Sequence, residues 1–133
     1  MQRRVLFLRS RGESAQRNRV AELSRIFHEK GWGCSDAETP RLARYDIVWV
    51  VDPIHTRVIP QYRLLVWDDT IAMDVELGDT ERQDGAMILE QCANLILRRD
   101  GSHEFDLRDL KLDGLDGVLA QEIAEDVLDY LEG

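Results

Sequence analysis

The chain lacks the features that mark several protein classes. Only 2 of its 133 residues are cysteine, and no Cys-x-x-Cys or His-x-x-x-His pair occurs. Cys34 and Cys92 are too few and too far apart for a disulfide framework or a zinc cage, so no structural metal and no cofactor is expected. No window approaches the ~18 uninterrupted apolar residues of a membrane helix. The opening Met-Gln-Arg-Arg leads straight into a four-residue apolar run, which does not read as a secretory signal, and the expected location is cytoplasmic. There is no internal repeat and no low-complexity segment.

Positive charge is also scarce. Lys and Arg number 17 against 26 Asp and Glu, a formal net charge of -9. Such a chain is a poor non-specific binder of nucleic acid or membrane, because phosphate neutralisation needs clustered cations. The deficit is uneven. Residues 1–63 carry 12 basic and 7 acidic side chains, whereas residues 64–133 carry 5 and 19. The first half therefore has the means to hold one anion.

What is present is an alternation of buried runs and amphipathic stretches. Val5-Leu6-Phe7-Leu8, bounded by arginines, has no polar alternation and reads as a strand buried on both faces, the central one of a sheet. Val20, Leu23, Ile26 and Phe27 recur at helical spacing from about Gln16 to Lys30, with Gly31 and Gly33 as stop signals. Further strands are predicted at Ile47–Val51 and Leu64–Trp67, closed by Asp52-Pro53 and Asp68-Asp69, with a short helix or turn from Ile54 to Pro60 between them. A helix is predicted from Thr80 to Arg99 on Ala86, Ile88, Leu89, Ala93, Leu95, Ile96 and Leu97, with cations in its last turn. Residues 101–114 read as an extended connector or a small β excursion. In the tail, Leu115, Leu119, Ile123, Val127 and Leu131 repeat every four residues against an acidic arc, the pattern of an amphipathic helix. The fold class expected is α/β, three-layered, with a small parallel sheet of about four strands and a C-terminal amphipathic helix. Residues 1–100 form the domain. Residues 101–133 form an acidic extension that packs on it or on a partner.

Ligands of an open parallel sheet bind beyond the carboxyl ends of its strands. The loop after the first strand holds Arg9, Ser10, Arg11, Gly12 and Ser14 and leads to Arg17 at a helix start, where free N–H groups and the helix dipole favour an anion. Asp52, Asp68, Asp69 and Asp74 are the carboxylates of the same rim.

From the first strand through Arg17-Asn18-Arg19-Val20-Ala21-Glu22, the sequence resembles the opening of the low-molecular-weight protein tyrosine phosphatases. There a strand leads into Cys, five residues, Arg and Ser or Thr. Ser35 to Pro40, Tyr45 to Val51 with His55, and Leu64 to Asp74 resemble later stretches of the short branch of that family, so the likeness spans about residues 3–97. It implies a phosphate cradle with Arg17 as the gripping arginine. The family's cysteine nucleophile is replaced by Arg9, seven residues rather than five separate Arg9 from Arg17, and Glu13 lies inside the loop. A cation at the nucleophile's position cannot attack phosphorus. No catalytic residue is assigned.

The function expected is therefore a non-catalytic, pseudophosphatase-like binding or regulatory module. Its anion site would comprise Arg9, Ser10, Arg11, Gly12, Ser14 and Arg17 and would take phosphate or a phosphorylated ligand. One alternative is a phosphate-ester hydrolase or transferase using the rim aspartates, with or without a metal. Another is a structural subunit docked by its acidic helix, through a protein partner or self-association at residues 115–131. Two readings of particular groups complete the expectation. The arginines of the loop either remain open to an anion or pair with the acidic second half, for instance with Asp68, Asp69 or Asp74. Cys34 and Cys92 read as buried small hydrophobes, Trp49 and Trp67 as core, and Trp32, between two glycines, as partly exposed.

Overall fold

The apolar runs become strands of one sheet. The structure, a computed structural model, describes residues 3–9, 14–37, 44–52, 59–68, 80–97, 103–105, 127 and 129. In chain order the elements are β1 (Arg4–Leu8), α1 (Ser14–Glu29), β2 (Gly33–Ala37), β3 (Arg44–Val50), β4 (Gln61–Asp68), α2 (Thr80–Cys92), β5 (Leu95–Leu97) and β6 (His103–Phe105). The strands lie in the order β2-β1-β3-β4-β5-β6, with β1 to β5 parallel and β6 antiparallel to β5. The class is α/β. The sheet is wider than the four strands expected, and β1, although buried, stands next to the edge strand β2 rather than at the centre.

Side chains alternate between two apolar layers, as the period of a strand requires. Val5, Phe7, Ile47, Trp49, Leu64, Val66 and Leu95 face α1, which contributes Val20, Leu23, Ile26 and Phe27. Leu6, Leu8, Val48, Val50, Leu65, Trp67 and Ile96 face Leu89 of α2. Phe7, Phe27, Trp32 and Trp49 form the centre of the α1 layer, with ring centroids 5.4 to 6.5 Å apart. Trp49 and Trp67 are core as expected. Trp32 is only 2% exposed, because the cap of α1 turns it inward. The Gly31 N–H donates to the His28 carbonyl and the Trp32 N–H to the Phe27 carbonyl, both at 3.0 Å. This is a Schellman closure with Gly31 at φ 84°, a backbone angle that glycine adopts without a Cβ penalty.

Three further expectations are corrected. The helix predicted to reach Arg99 ends at Cys92. Asn94 leaves it and joins β4, donating its backbone N–H to the Leu65 carbonyl at 3.1 Å and accepting the Leu65 N–H on Oδ1 at 3.4 Å. The next three apolar residues then pair with β4 as a strand. Gly33–Ala37 is an unforeseen strand, since Gly-Cys-Ser-Asp-Ala has no apolar run and gains its place from pairing with β1. Cys92 is exposed rather than buried. Residues 54–58 of the predicted turn lie outside the described residues, and Ile59 and Pro60 belong to neither helix nor strand. Beyond residue 100, β6 adds a strand to the sheet. Val127, from the expected tail helix, is fully buried in the α1 layer.

Candidate functional site

Strand order fixes where a ligand site belongs. From β1 the chain crosses through α1 to β2 on one side, and from β3 it crosses to β4 on the other. The carboxyl ends of β1 and β3 therefore flank the point where the winding reverses, the place at which open α/β sheets bind ligands. β3 stays joined to the end of β1 one residue past its own end, since the Val51 N–H donates to the Leu8 carbonyl at 2.9 Å. Arg9 and Asp52 follow, and Asp52 is fully buried.

Two guanidinium–carboxylate clamps bound this edge. Arg9 Nε donates to both carboxylate oxygens of Asp36, at 2.8 and 2.9 Å, tying the end of β1 to the end of β2. In the second clamp, Arg19 on α1 donates from Nε to Asp68 Oδ2 at 2.8 Å and from Nη2 to Oδ1 at 3.4 Å. Trp49 Nε1 donates to the same Oδ2 at 3.2 Å. Asp68 is the last residue of β4 and has no exposed side-chain surface, while Arg19 is 14% exposed. A buried carboxylate is tolerable only when its charge is met and its lone pairs are occupied, which these donors accomplish.

The expected site residues thus divide. Arg9, Arg17, Asp52 and Asp68 are brought to one edge, because α1 runs antiparallel to the strands and begins where they end. Arg17 is exposed on the first turns of α1. Ser14 is the first residue of that helix. Ser10, Arg11, Gly12, His55, Asp69 and Asp74 lie outside the described residues. The pairing of an arginine with the acidic half of the chain occurs at Arg19 and Asp68. The partner of Arg9 is instead Asp36, from the basic half. No run of apolar letters announced β2, so nothing in the sequence put Asp36 beside Arg9. The indole of Trp49 was legible only as core.

The two thiols are at the other end of the sheet. Cys34 pairs with Val5, three residues before the end of β1, or ~10 Å along the strand. It is half-buried, its Sγ donating to the carbonyls of Ser24 and Trp32 at 3.7 and 3.9 Å, and burial pushes its pKa up. Cys92 ends α2, which also points to the amino edge, near Tyr62. The Tyr62 phenol is pushed up chiefly by burial and further by Cys92. Neither thiol stands at the carboxyl edge, and a thiol with a raised pKa is a poor nucleophile.

The carboxyl edge accordingly offers guanidinium groups and backbone donors for an anion, with carboxylates that already hold two of the arginines. Compared with protein-family models, characterised proteins and solved structures, the chain has no match.

Proposed function

We propose that the chain is a non-catalytic binding module of phosphatase-like α/β design, with an anion site in the crevice over β1 and β3. The ligand is phosphate or a phosphorylated group, held by backbone donors at the start of α1 and by Arg17, with Arg9 and Arg11 contributing charge. One observation supports this reading above the others. The first side chain after β1, where a nucleophile would have to stand, is a guanidinium clamped by Asp36. Asp68, the rim carboxylate that a hydrolase would use as acid or metal ligand, is turned inward onto Arg19 and Trp49.

An anion and Asp36 compete for Arg9. The Asp36 side chain is 39% exposed, so the pair is a partly solvated one, and releasing Arg9 from it costs about 1 kcal/mol or less. Asp36→Asn should therefore tighten phosphate binding by up to about fivefold. Titration of the purified protein with phosphate by NMR or calorimetry tests the reading. Saturable binding that weakens on Arg17→Ala and strengthens on Asp36→Asn is the expected result. Binding indifferent to Arg17, or none below the millimolar range, would leave only a structural cluster of ion pairs. Aryl phosphate turnover abolished by alkylating Cys34 or Cys92 would restore the enzyme reading.

A further inference from the structure

Two indoles stand near the carboxyl edge of the sheet, and they differ in what the fold does with them. Trp49 packs in the α1 layer, and its Nε1 donates to Asp68 at 3.2 Å. Trp67 packs in the α2 layer. It is 5% exposed, and its buried Nε1 has no hydrogen-bond partner among the described residues. A tryptophan in a core ordinarily finds an acceptor for its N–H, because a buried donor left unpaired has given up its water and gained nothing in return. Phenylalanine would supply an apolar ring here without that loss. The indole thus costs the fold stability, and such local exceptions gather at sites whose partner is not part of the chain.

Register places this donor beside the anion site. Trp67 pairs with Val50, the last residue of β3, and Val50 pairs with Leu8, the last residue of β1. The three lie at one level of the sheet, just before Arg9 and Asp52. On its other side Trp67 pairs with Ile96 of β5. Leu8, Val50, Trp67 and Ile96 belong to the α2 layer, so this edge carries Arg17 on the α1 side and an apolar wall with one unpaired donor on the other. Neighbouring strands are ~4.8 Å apart, which sets Trp67 ~5 Å from β3 and ~10 Å from β1. Inorganic phosphate at the start of α1 is too small to touch that indole. A phosphate ester can reach it.

We propose that Trp67 Nε1 is a ligand-binding donor, and that the anion taken up at this edge is the phosphate of a nucleoside-sized ester. The assignment rests on the anion site over β1 and β3 and names the class of its ligand. With the phosphate at the start of α1, the organic part lies across the end of β3 towards Val50 and Ile96, and an acceptor atom of its ring receives the indole N–H. A nucleoside 5′-phosphate has this build. Its base is flat, has two apolar faces for such a wall, and carries acceptor atoms at about the required distance from phosphorus. A phosphorylated tyrosine fits less well, because its ring carries no acceptor other than the ester oxygen.

Titration of the nitrogen-15-labelled full chain with inorganic phosphate and with adenosine 5′-phosphate, followed by NMR, tests the proposal, because each of the 3 tryptophans gives its own indole N–H signal. Both ligands should bind, in competition. The nucleotide should bind about fivefold tighter or more, the worth of one neutral hydrogen bond. It should move the Trp67 indole proton downfield, which phosphate does not, and leave that of Trp49 in place. Trp67→Phe should remove the difference in affinity between the two ligands. Circular dichroism shows whether that variant is folded, and if it is not, the indole signal of the wild-type protein decides alone. Phosphate that binds through Arg17 while saturating nucleotide leaves the Trp67 signal unmoved overturns the inference and leaves the anion site standing. So does a nucleotide that binds no tighter than phosphate. Binding of neither ligand removes both readings, and adenosine that binds as tightly as its phosphate removes the ester from the account.

Discussion

Removing either member of the Arg19–Asp68 clamp should destabilise the protein, and by unequal amounts. In Arg19→Met the aliphatic part of the side chain is retained and the guanidinium is lost. The Asp68 carboxylate, with no exposed surface, then keeps Trp49 Nε1 but loses the donors at 2.8 and 3.4 Å. Removing one partner of a buried pair costs about 3–5 kcal/mol. In Asp68→Asn the shape is kept, the Asn Oδ1 can still accept from Trp49, and the residual charge is on Arg19. That side chain is 14% exposed, so its head can turn towards water, and the cost should be about 1–2 kcal/mol. At about 4 °C per kcal/mol for a chain of this size, the melting temperature should fall by ~12 °C or more for Arg19→Met and by ~6 °C for Asp68→Asn. Urea unfolding followed by tryptophan fluorescence gives the free energies directly, and the double variant gives the coupling. A loss below about 1 kcal/mol for Arg19→Met, or a loss no greater than that of Asp68→Asn, would refute the account of this clamp.

Gly31→Ala should cost about 1 kcal/mol. A Cβ there meets nothing within 4 Å among the described residues, so the penalty is that of the φ of 84° and is measurable as a shifted urea midpoint at constant slope. Trp67→Phe should cost less than an ordinary large-to-small core change, about 1 kcal/mol or less, because Trp67 Nε1 is buried with no hydrogen-bond partner among the described residues and removing that donor offsets the cavity left by the smaller ring; thermal unfolding of the variant checks this. Maleimide should label Cys92, which is exposed, well before Cys34, and mass spectrometry of partially labelled protein gives the order. The Cys34 pKa is raised in the folded state above its ordinary 9.0. Its contribution to stability is thus complete below pH 9 and is lost as pH rises through the folded value. Cys34→Ala should flatten that alkaline decline in a pH series of urea midpoints.

The fold was legible wherever burial on both faces left a run without polar letters. Val5–Leu8, Ile47–Val50 and Leu64–Trp67 have no other use than as inner strands of a parallel sheet, and α1 followed from the spacing of Val20, Leu23 and Phe27. The edges were illegible for the converse reason. β2 makes its ladder bonds with one neighbour and needs no apolar run, so Gly33–Ala37 looks like loop. β5 has only three residues, too few to separate from the helix before it by periodicity, and Asn94 marks the break through bonds to Leu65 that are invisible in one dimension. The site suffered accordingly. Topology brings Arg9, Arg17, Asp52 and Asp68 to one edge, but Asp36, which holds Arg9, comes from the strand that was missed.

The same topology explains why the opposed charges of the two halves of the sequence do not survive as two charged halves of the molecule. Each β–α–β step returns the chain to the edge it left, so every strand contributes residues to both edges whichever half it comes from. Asp68, from the acidic half, meets Arg19 from the basic half at one edge. Asp46, from the basic half, lies near Arg4 and Arg63 at the other. Counting arginines between residues 9 and 19 therefore overstates the field available to an anion. Arg19 is engaged with a carboxylate buried beneath α1, which no ligand displaces without opening the core. Arg9 is engaged with one that is partly solvated and exchangeable. Arg17, on the first turns of α1 where the helix dipole and the free N–H groups add to its charge, is exposed. An anion at this edge must then be gripped from the α1 side first and reach Arg9 only by competing with Asp36. This is why Arg17 and Asp36, rather than the buried Arg19, are the positions at which substitution should move phosphate affinity, and in opposite directions.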